Sequence, residues 1–343
     1  MSGNYLSRQV SPFQRLFSER STTAHMCFPS AARTAPAMPP PPYSQRTLQP
    51  HVGDLTSTGA NLRSRKKLHI VKYLPMAALN RAQDPAIDLS SYVALGDSFT
   101  EGLNDPDPDG GFTGWADRLA RLLAQRRPMT DDGRYDFRYA NLAVRGRLLD
   151  QVVDEQVPQV RRLQPDLVSF CAGGNDILRP GADPDLVAER FEAATVQLQQ
   201  SAGTVLICTG FDTRDTPVLR QLRGKIATYN VHLRAIADRN DLAVVDIWSL
   251  RSMHDRRAWS EDRLHLSPEG HHRIALLAGR ALGLDVDDPD TPWPPQPEHT
   301  PAELRRENLQ WARDYLLPWV GRRLRGESSG DHVEAKRPDL LPL

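Results

Sequence analysis

Cysteine, lysine beyond the first quarter of the chain, and long apolar runs are all scarce in this sequence. Only Cys27, Cys171 and Cys208 occur, and they form neither metal-ligand spacing nor a disulfide framework. Cys171 and Cys208 lie inside apolar runs, so they are read as buried thiols of a reducing, cytoplasmic compartment. No stretch approaches the roughly 18 apolar residues that cross a bilayer. The N-terminal segment also lacks the continuous apolar core of a secretory signal. Net charge is absent too, at +0, but the zero hides an asymmetry: residues 1–75 carry ten Lys/Arg against two Asp/Glu, and the remainder 33 against 41. A mildly acidic body argues against a nucleic-acid partner.

What is present fits a soluble globular protein, with 39% hydrophobic and 25% charged residues in 343, enough chain for a sizeable core. Residues 1–85 are rich in Ser, Pro, Arg and Thr and show no sustained period. Disorder, an organellar transit peptide and a true translation start at Met76 are the open readings. Beyond residue 75 the chain is arginine-rich, with lysine only at 225 and 336, a bacterial-looking composition that favours Met76.

From Ser90 apolar strand-length runs alternate with helix-length segments, the pattern of βαβ units. Strands are expected at 91–97, 139–144, 166–172, 204–209 and 243–248. The intervening helices are expected at 113–126, at 147–163 with a bend or interruption at Pro158, at 185–200, from Pro217 to Arg239, and at 268–282 behind an N-cap at Ser267. This predicts an α/β protein with a five-stranded parallel sheet in a three-layer α/β/α sandwich, its domain covering 86–284. Residues 285–300 read as a Pro-rich, semi-rigid linker. Residues 301–325 read as an amphipathic helix, with Leu304, Trp311, Tyr315, Leu316, Trp319 and Val320 on one side and Arg322, Arg323 and Arg325 at its end. Docking on the body is the expected use of that helix, and peripheral contact with a membrane surface or a partner is the competing one. Residues 326–343 read as a polar tail.

Chemistry gathers at the carboxyl ends of these strands, where open α/β sheets bind ligands. Gly96-Asp97-Ser98 ends the first strand, and taken alone it is an ordinary turn that caps a helix. The segment Asn141–Gly146 ends the second, and Gly173-Gly174-Asn175-Asp176 follows the third. Asp262-Arg263-Leu264-His265 precedes the last helix. A carboxylate three residues before a histidine can hold one imidazole nitrogen from the same short loop and leave the other for a serine. The two glycines let backbone approach a ligand, and the Asn amide can donate to an oxyanion.

These four blocks, in this order over about residues 90–283, resemble the GDSL, or SGNH, hydrolase family, in particular a bacterial, actinobacterial-like subset in which Phe99 stands where the family's namesake has leucine. The resemblance implies a flavodoxin-like fold and carboxylic-ester hydrolysis without metal or organic cofactor. It makes Ser98 the nucleophile, His265 the general base and acid, and Asp262 the orienting carboxylate. The Ser98 and Gly146 N–H groups and the Asn175 side chain become the oxyanion hole. Asp97 then remains a structural residue of the turn. Small acyl or acetyl esters are the expected substrates, with a lysophospholipase or thioesterase of the same fold as the alternative. Phe112, Trp115 and the C-terminal helix are candidates to line an acyl pocket. A catalytically silent binding protein is the rival from another class, disfavoured by the intact residue set.

Two further patterns are set aside. Asp105 to Gly110 opens like a calcium loop, but two prolines intrude and position twelve is Ala116, so a solvated loop with Gly110, Gly111 and Gly114 as points of mobility is expected instead. His271 and His272 lack ligand-type partners at helical spacing, so no metal is expected there.

Overall fold

Each apolar run at a predicted strand position forms a strand, and a further strand comes from a segment with no such run. The computed structural model describes residues 88–343 apart from 217–218, 298–299 and 326–327. The expectations for the N-terminal extension, Cys27 and Pro217 therefore lie outside the described residues. Strands β1 (Ser91–Gly96), β2 (Arg138–Asn141), β3 (Leu167–Cys171), β4 (Thr204–Cys208) and β5 (Ala243–Val245) are parallel. A sixth, β6 (Arg337–Pro342), adds antiparallel to β2 and gives the order β5-β4-β3-β1-β2-β6. The segment expected as a polar tail is thus the outer edge of the sheet. Pro338 and Pro342 are compatible with that place because an edge strand can do without ladder donors.

β1 occupies an inner position and is buried along its whole length. Its side chains alternate between two cores, as the two-residue period of a strand requires. Tyr92 and Ala94 join Trp115, Leu119 and Leu123 of α2 (Gly114–Ala124) and Ile274 and Ala278 of α8 (Pro268–Ala281). Val93 and Leu95 face the other core. That core draws on α3 (Leu149–Glu155), α4 (Val157–Leu163), α6 (Pro184–Gln199) and α7 (Arg223–Asn240). Helices on both faces of a mostly parallel sheet make the α/β/α sandwich expected from the sequence. Two short helices, α1 (Ser98–Glu101) and α5 (Gly174–Ile177), follow β1 and β3 directly.

Local chemistry sets the breaks. The expected 147–163 helix divides at Gln156, between α3 and α4, and the side-chain amide of this buried residue pairs with both backbone groups of Gly96 at 2.9 Å. It thereby continues the hydrogen-bond ladder of β1 where the sheet stops. α8 begins at a Ser267 cap whose Oγ accepts from Gly270 N, as Pro at the next position favours. Residues 285–297 are a fastened strap rather than a spacer: Trp293 donates to Ser252 O at 2.8 Å and lies against the guanidinium groups of Arg257 and Arg273. Beyond it, a Thr300/Glu303 capping box opens α9 (Pro301–Trp311), which runs through a π-helical turn at Ala312–Leu316 into α10 (Leu317–Arg325). Among the described residues no helix is long and apolar enough to cross a membrane. Cys171 and Cys208 are free thiols.

Candidate active site

β1 delivers Ser98 to the carboxyl edge of the sheet through a turn that needs glycine. Gly96 has φ +153°, and a Cβ there would lie 2.5 Å from the Cys171 carbonyl oxygen on β3. Asp97 then caps α1: its Oδ1 accepts from Phe99 N at 3.0 Å, and its carbonyl accepts from the Thr100 and Glu101 N–H groups. Ser98 is the first helical residue, so its own N–H stays outside the helix ladder.

Ser98, His265 and Asp262 come together across more than 160 residues of sequence. His265 Nε2 lies 3.0 Å from Ser98 Oγ, and His265 Nδ1 lies 2.6 Å from Asp262 Oδ2. A carboxylate only accepts, so Nδ1 carries the proton and Nε2 is left to accept from the Ser98 hydroxyl. Asp262 Oδ1 accepts from the Leu264 and His265 N–H groups at 2.9 Å each and from Ser260 Oγ at 2.7 Å. Burial works against its charge, but the His265 hydrogen bond and charge, with these backbone donors, outweigh it and hold the carboxyl well below the usual range.

A residue that sequence reasoning missed joins the two halves of this triad. Asn104, in the loop after α1 and at a left-handed φ of 72°, donates from Nδ2 to Ser260 Oγ (2.9 Å) and to Asp262 Oδ2 (3.0 Å). It shares the carboxylate oxygen that receives His265. The only signal was its place in a turn-forming Asn-Asp-Pro stretch, where asparagine tolerates the left-handed region.

The remaining predicted residues sit around Ser98 with partners of their own. Gly146 adopts φ +75°, and a Cβ there would overlap Ser328 Oγ. Its loop is tied to the Ser98 helix: buried Glu101 accepts from Arg145 N at 2.7 Å and pairs with the Arg145 guanidinium. Asn175 Nδ2 donates to Asp97 Oδ2 and to the Arg147 carbonyl, both at 3.0 Å. Its amide therefore bridges the Asp97–Ser98 turn and the Gly146 loop. Asp176 accepts from Leu149 N at 2.9 Å, a structural use. Burial pushes Asp97 up to about 6, against the downward pull of the Phe99 N–H.

Three expectations are corrected. Trp115 is completely buried in the α2–α8 core and lines no pocket; Phe112 is half-buried beneath the Arg145 guanidinium, a contact that leaves its own expectation untouched. The Asp105–Gly110 loop is not simply solvated: Asp105 is buried, accepts from Arg118 Nη2 at 2.9 Å and Nε at 3.0 Å, and accepts from Gly114 N. Gly114 is itself buried at the start of α2, so it is no point of mobility. His271 is likewise spent in the core: Nδ1 accepts from Trp115 N at 3.2 Å, and burial pushes it down to about 4.

The C-terminal helix docks on the loop that carries Asp262 and His265. Trp311 Nε1 donates to the Asp262 carbonyl at 2.9 Å, and Tyr315 Oη donates to Glu261 at 2.8 Å. Arg263, at φ 56°, stacks its guanidinium on Trp311 and donates to Asn308 Oδ1, while Arg256 pairs with Glu307. A left-handed arginine costs roughly 1–2 kcal/mol, and these contacts hold it there. A cleft of about 740 Å³ is formed elsewhere, where the strap meets Arg251, His254 and Arg257. Among its lining side chains Arg257 pairs with Asp255, and Arg251 lies 3.8 Å from Asp290.

The GDSL-like lipase/acylhydrolase family model matches residues 94–273. Similar solved structures include LAE5, an alpha/beta hydrolase enzyme from the metagenome of Lake Arreo, Spain (19% identity, TM-score 0.47, 57% of this chain and 95% of that one). The acetylxylan esterase Axe2 from Geobacillus stearothermophilus is similar at 18% identity and a TM-score of 0.44, over 57% and 95% of the two chains. TesA is similar at 22% identity and a TM-score of 0.44, over 56% and 97%. A search of curated proteins found no match.

Proposed function

The chain belongs to the GDSL-like lipase/acylhydrolase family, and from that premise we propose that this hydrolase of ester bonds is a serine esterase for small acyl esters, working through a covalent acyl-enzyme. The observation that carries the reading is the unbroken hydrogen-bond chain Asp262–His265–Ser98. Asp262, held ionised, fixes His265 in the tautomer that leaves Nε2 basic. Ser98 Oγ attacks the ester carbonyl while Nε2 takes its proton. The developing oxyanion is met by the Ser98 N–H at the start of α1 and by the N–H of Gly146. Asn175 supplies a third donor by exchanging one of its two present acceptors for the oxyanion.

His265 then returns the proton to the leaving alcohol oxygen as the C–O bond breaks. A water activated by the same nitrogen attacks the acyl-enzyme, releases the carboxylic acid and restores Ser98. Support for a small acyl group comes from the aromatic residues near Ser98. Trp115 is buried, and Phe99 packs against Trp115 and His271, so neither is offered as the wall of a long-chain tunnel.

Ser98→Ala should lower p-nitrophenyl acetate hydrolysis by on the order of 1000-fold or more and abolish labelling by a fluorophosphonate probe. Turnover or labelling that survives the substitution contradicts the assignment. A preference for decanoyl over acetyl esters in the active enzyme contradicts the acyl-size reading alone.

A further inference from the structure

The helix that clasps the Asp262–His265 loop presents a second face that no described residue covers. Its inward contacts come from Glu307, Asn308, Trp311 and Tyr315, all directed at residues 256–263. α9 buries no residue at all. Leu309 is 74% exposed and Leu317 64%. Leu309 and Leu317 are two of the nine large hydrophobic residues exposed among the described residues, and both lie off the gripping side, whereas Leu304 falls at the helical spacing of Asn308, Trp311 and Tyr315.

The backbone aligns part of this set. In a regular α-helix a spacing of four drifts by about 40° per step. The wider turn at Ala312–Leu316 takes back that drift between Arg313 and Leu317, because a π-turn holds more residues than an α-turn. Arg305, Leu309, Arg313 and Leu317 therefore form one stripe of alternating charge and apolar surface, turned away from the side that grips the Asp262–His265 loop. All four are exposed.

Charge selects the occupant. The 301–325 segment carries six arginines against Glu303, Glu307 and Asp314, and Glu307 is already committed to Arg256. It is a basic element on a body whose net charge is negative. We propose that this outer face docks the enzyme on an anionic lipid surface, with the leucines entering the headgroup boundary and the arginines pairing with lipid phosphates. The same helix would then hold the Asp262 loop from its other side, which brings the active site to the surface where amphiphilic esters reside. The inference stands apart from the ester chemistry, since binding is read without turnover.

The test is co-sedimentation of the full chain with phosphatidylcholine vesicles prepared with and without phosphatidylglycerol. The expected result is binding to the anionic vesicles, weakened by high salt and absent from the neutral ones. Leu309→Ser/Leu317→Ser should cut the vesicle partition coefficient by about 10-fold or more, and Arg305→Glu/Arg313→Glu by a similar factor. Both variants should keep p-nitrophenyl acetate turnover within about 2-fold, because these side chains are exposed and touch neither the loop nor the core. Failure of the unaltered chain to bind anionic vesicles overturns the proposal. So does binding that both variants retain in full, which would locate it in another basic part of the chain.

Discussion

Replacing Lys336 by methionine should destabilise the protein by an amount that depends on pH. The ammonium of Lys336 reaches in from the segment before β6 and donates to the carbonyls of Glu101, Phe112 and Thr113 at 2.6–2.8 Å, and to Asp117 Oδ2 at 2.6 Å. Glu101 ends α1 and Thr113 precedes α2, so one cation closes both. Methionine fills much of the same volume but leaves these acceptors without a donor. Three carbonyls losing a charged donor, with water replacing part of the loss, correspond to about 2 kcal/mol. Burial already lifts Asp117 to about 6, although the charge and hydrogen bond of Lys336 pull it down. Without Lys336 the folded-state value rises further. A raised folded-state value removes stability as pH climbs through it, because the carboxyl ionises more readily in the unfolded chain.

The deficit should therefore be about 2 kcal/mol near pH 5, where Asp117 is protonated, and about 4 kcal/mol near pH 8, where an unpaired carboxylate is buried. Urea titration followed by circular dichroism at both pH values measures this difference. Asp117→Asn/Lys336→Met should bring the two deficits together. Equal deficits for the single variant, or a loss below about 1 kcal/mol at either pH, would refute the account of Lys336 as the shared closure of these elements.

Asp97, raised to about 6 by burial, takes up a proton on folding between about pH 4 and 6. It thus contributes stability at the acid end of that window which is lost as pH rises through it. Asp97→Asn should flatten the fall of Tm over the window in calorimetry, and an unchanged slope would contradict the assignment. Asn104→Ala should lower kcat by about 10-fold with KM nearly constant, since it loosens Asp262 without touching substrate; a change confined to KM would place Asn104 in the binding site instead. Trp311→Phe keeps an aromatic under Arg263 but deletes the bond to the Asp262 carbonyl. It should cost a few-fold in kcat/KM, and Trp311→Ala about 10-fold, as measured on soluble ester.

The parts of the site legible in the sequence were those carried by short, local spacing. Ser98 and Asn175 each follow an apolar run that could only be a buried strand, and Asp262 and His265 share one turn. Their convergence followed from the rule that ligands meet the carboxyl edge of a parallel sheet. Asn104, Glu101, Arg145 and Lys336 were illegible because they act across the fold, joining loops whose separation in sequence carries no period. Lys336 did leave a trace, as one of two lysines in an otherwise arginine-rich body. A compact ammonium can be approached by four converging oxygens where a planar guanidinium directs its donors along fixed lines. β6 was hidden for a different reason: its prolines and charges suppress the strand signal, and only an unpaired edge awaiting a partner makes such a sequence extend.

That edge has a kinetic consequence. Arg138 pairs with Pro342, and Asn141 with Arg337, so the outer rim of β2 waits for a partner almost two hundred residues further along. A contact of that span closes late, after the local α/β units have assembled. Until then the folding chain presents the open rim of a nearly finished sheet, a template for a neighbouring molecule. Refolding yield should therefore fall as protein concentration rises, and the competitor for β6 is the β2 rim of another copy.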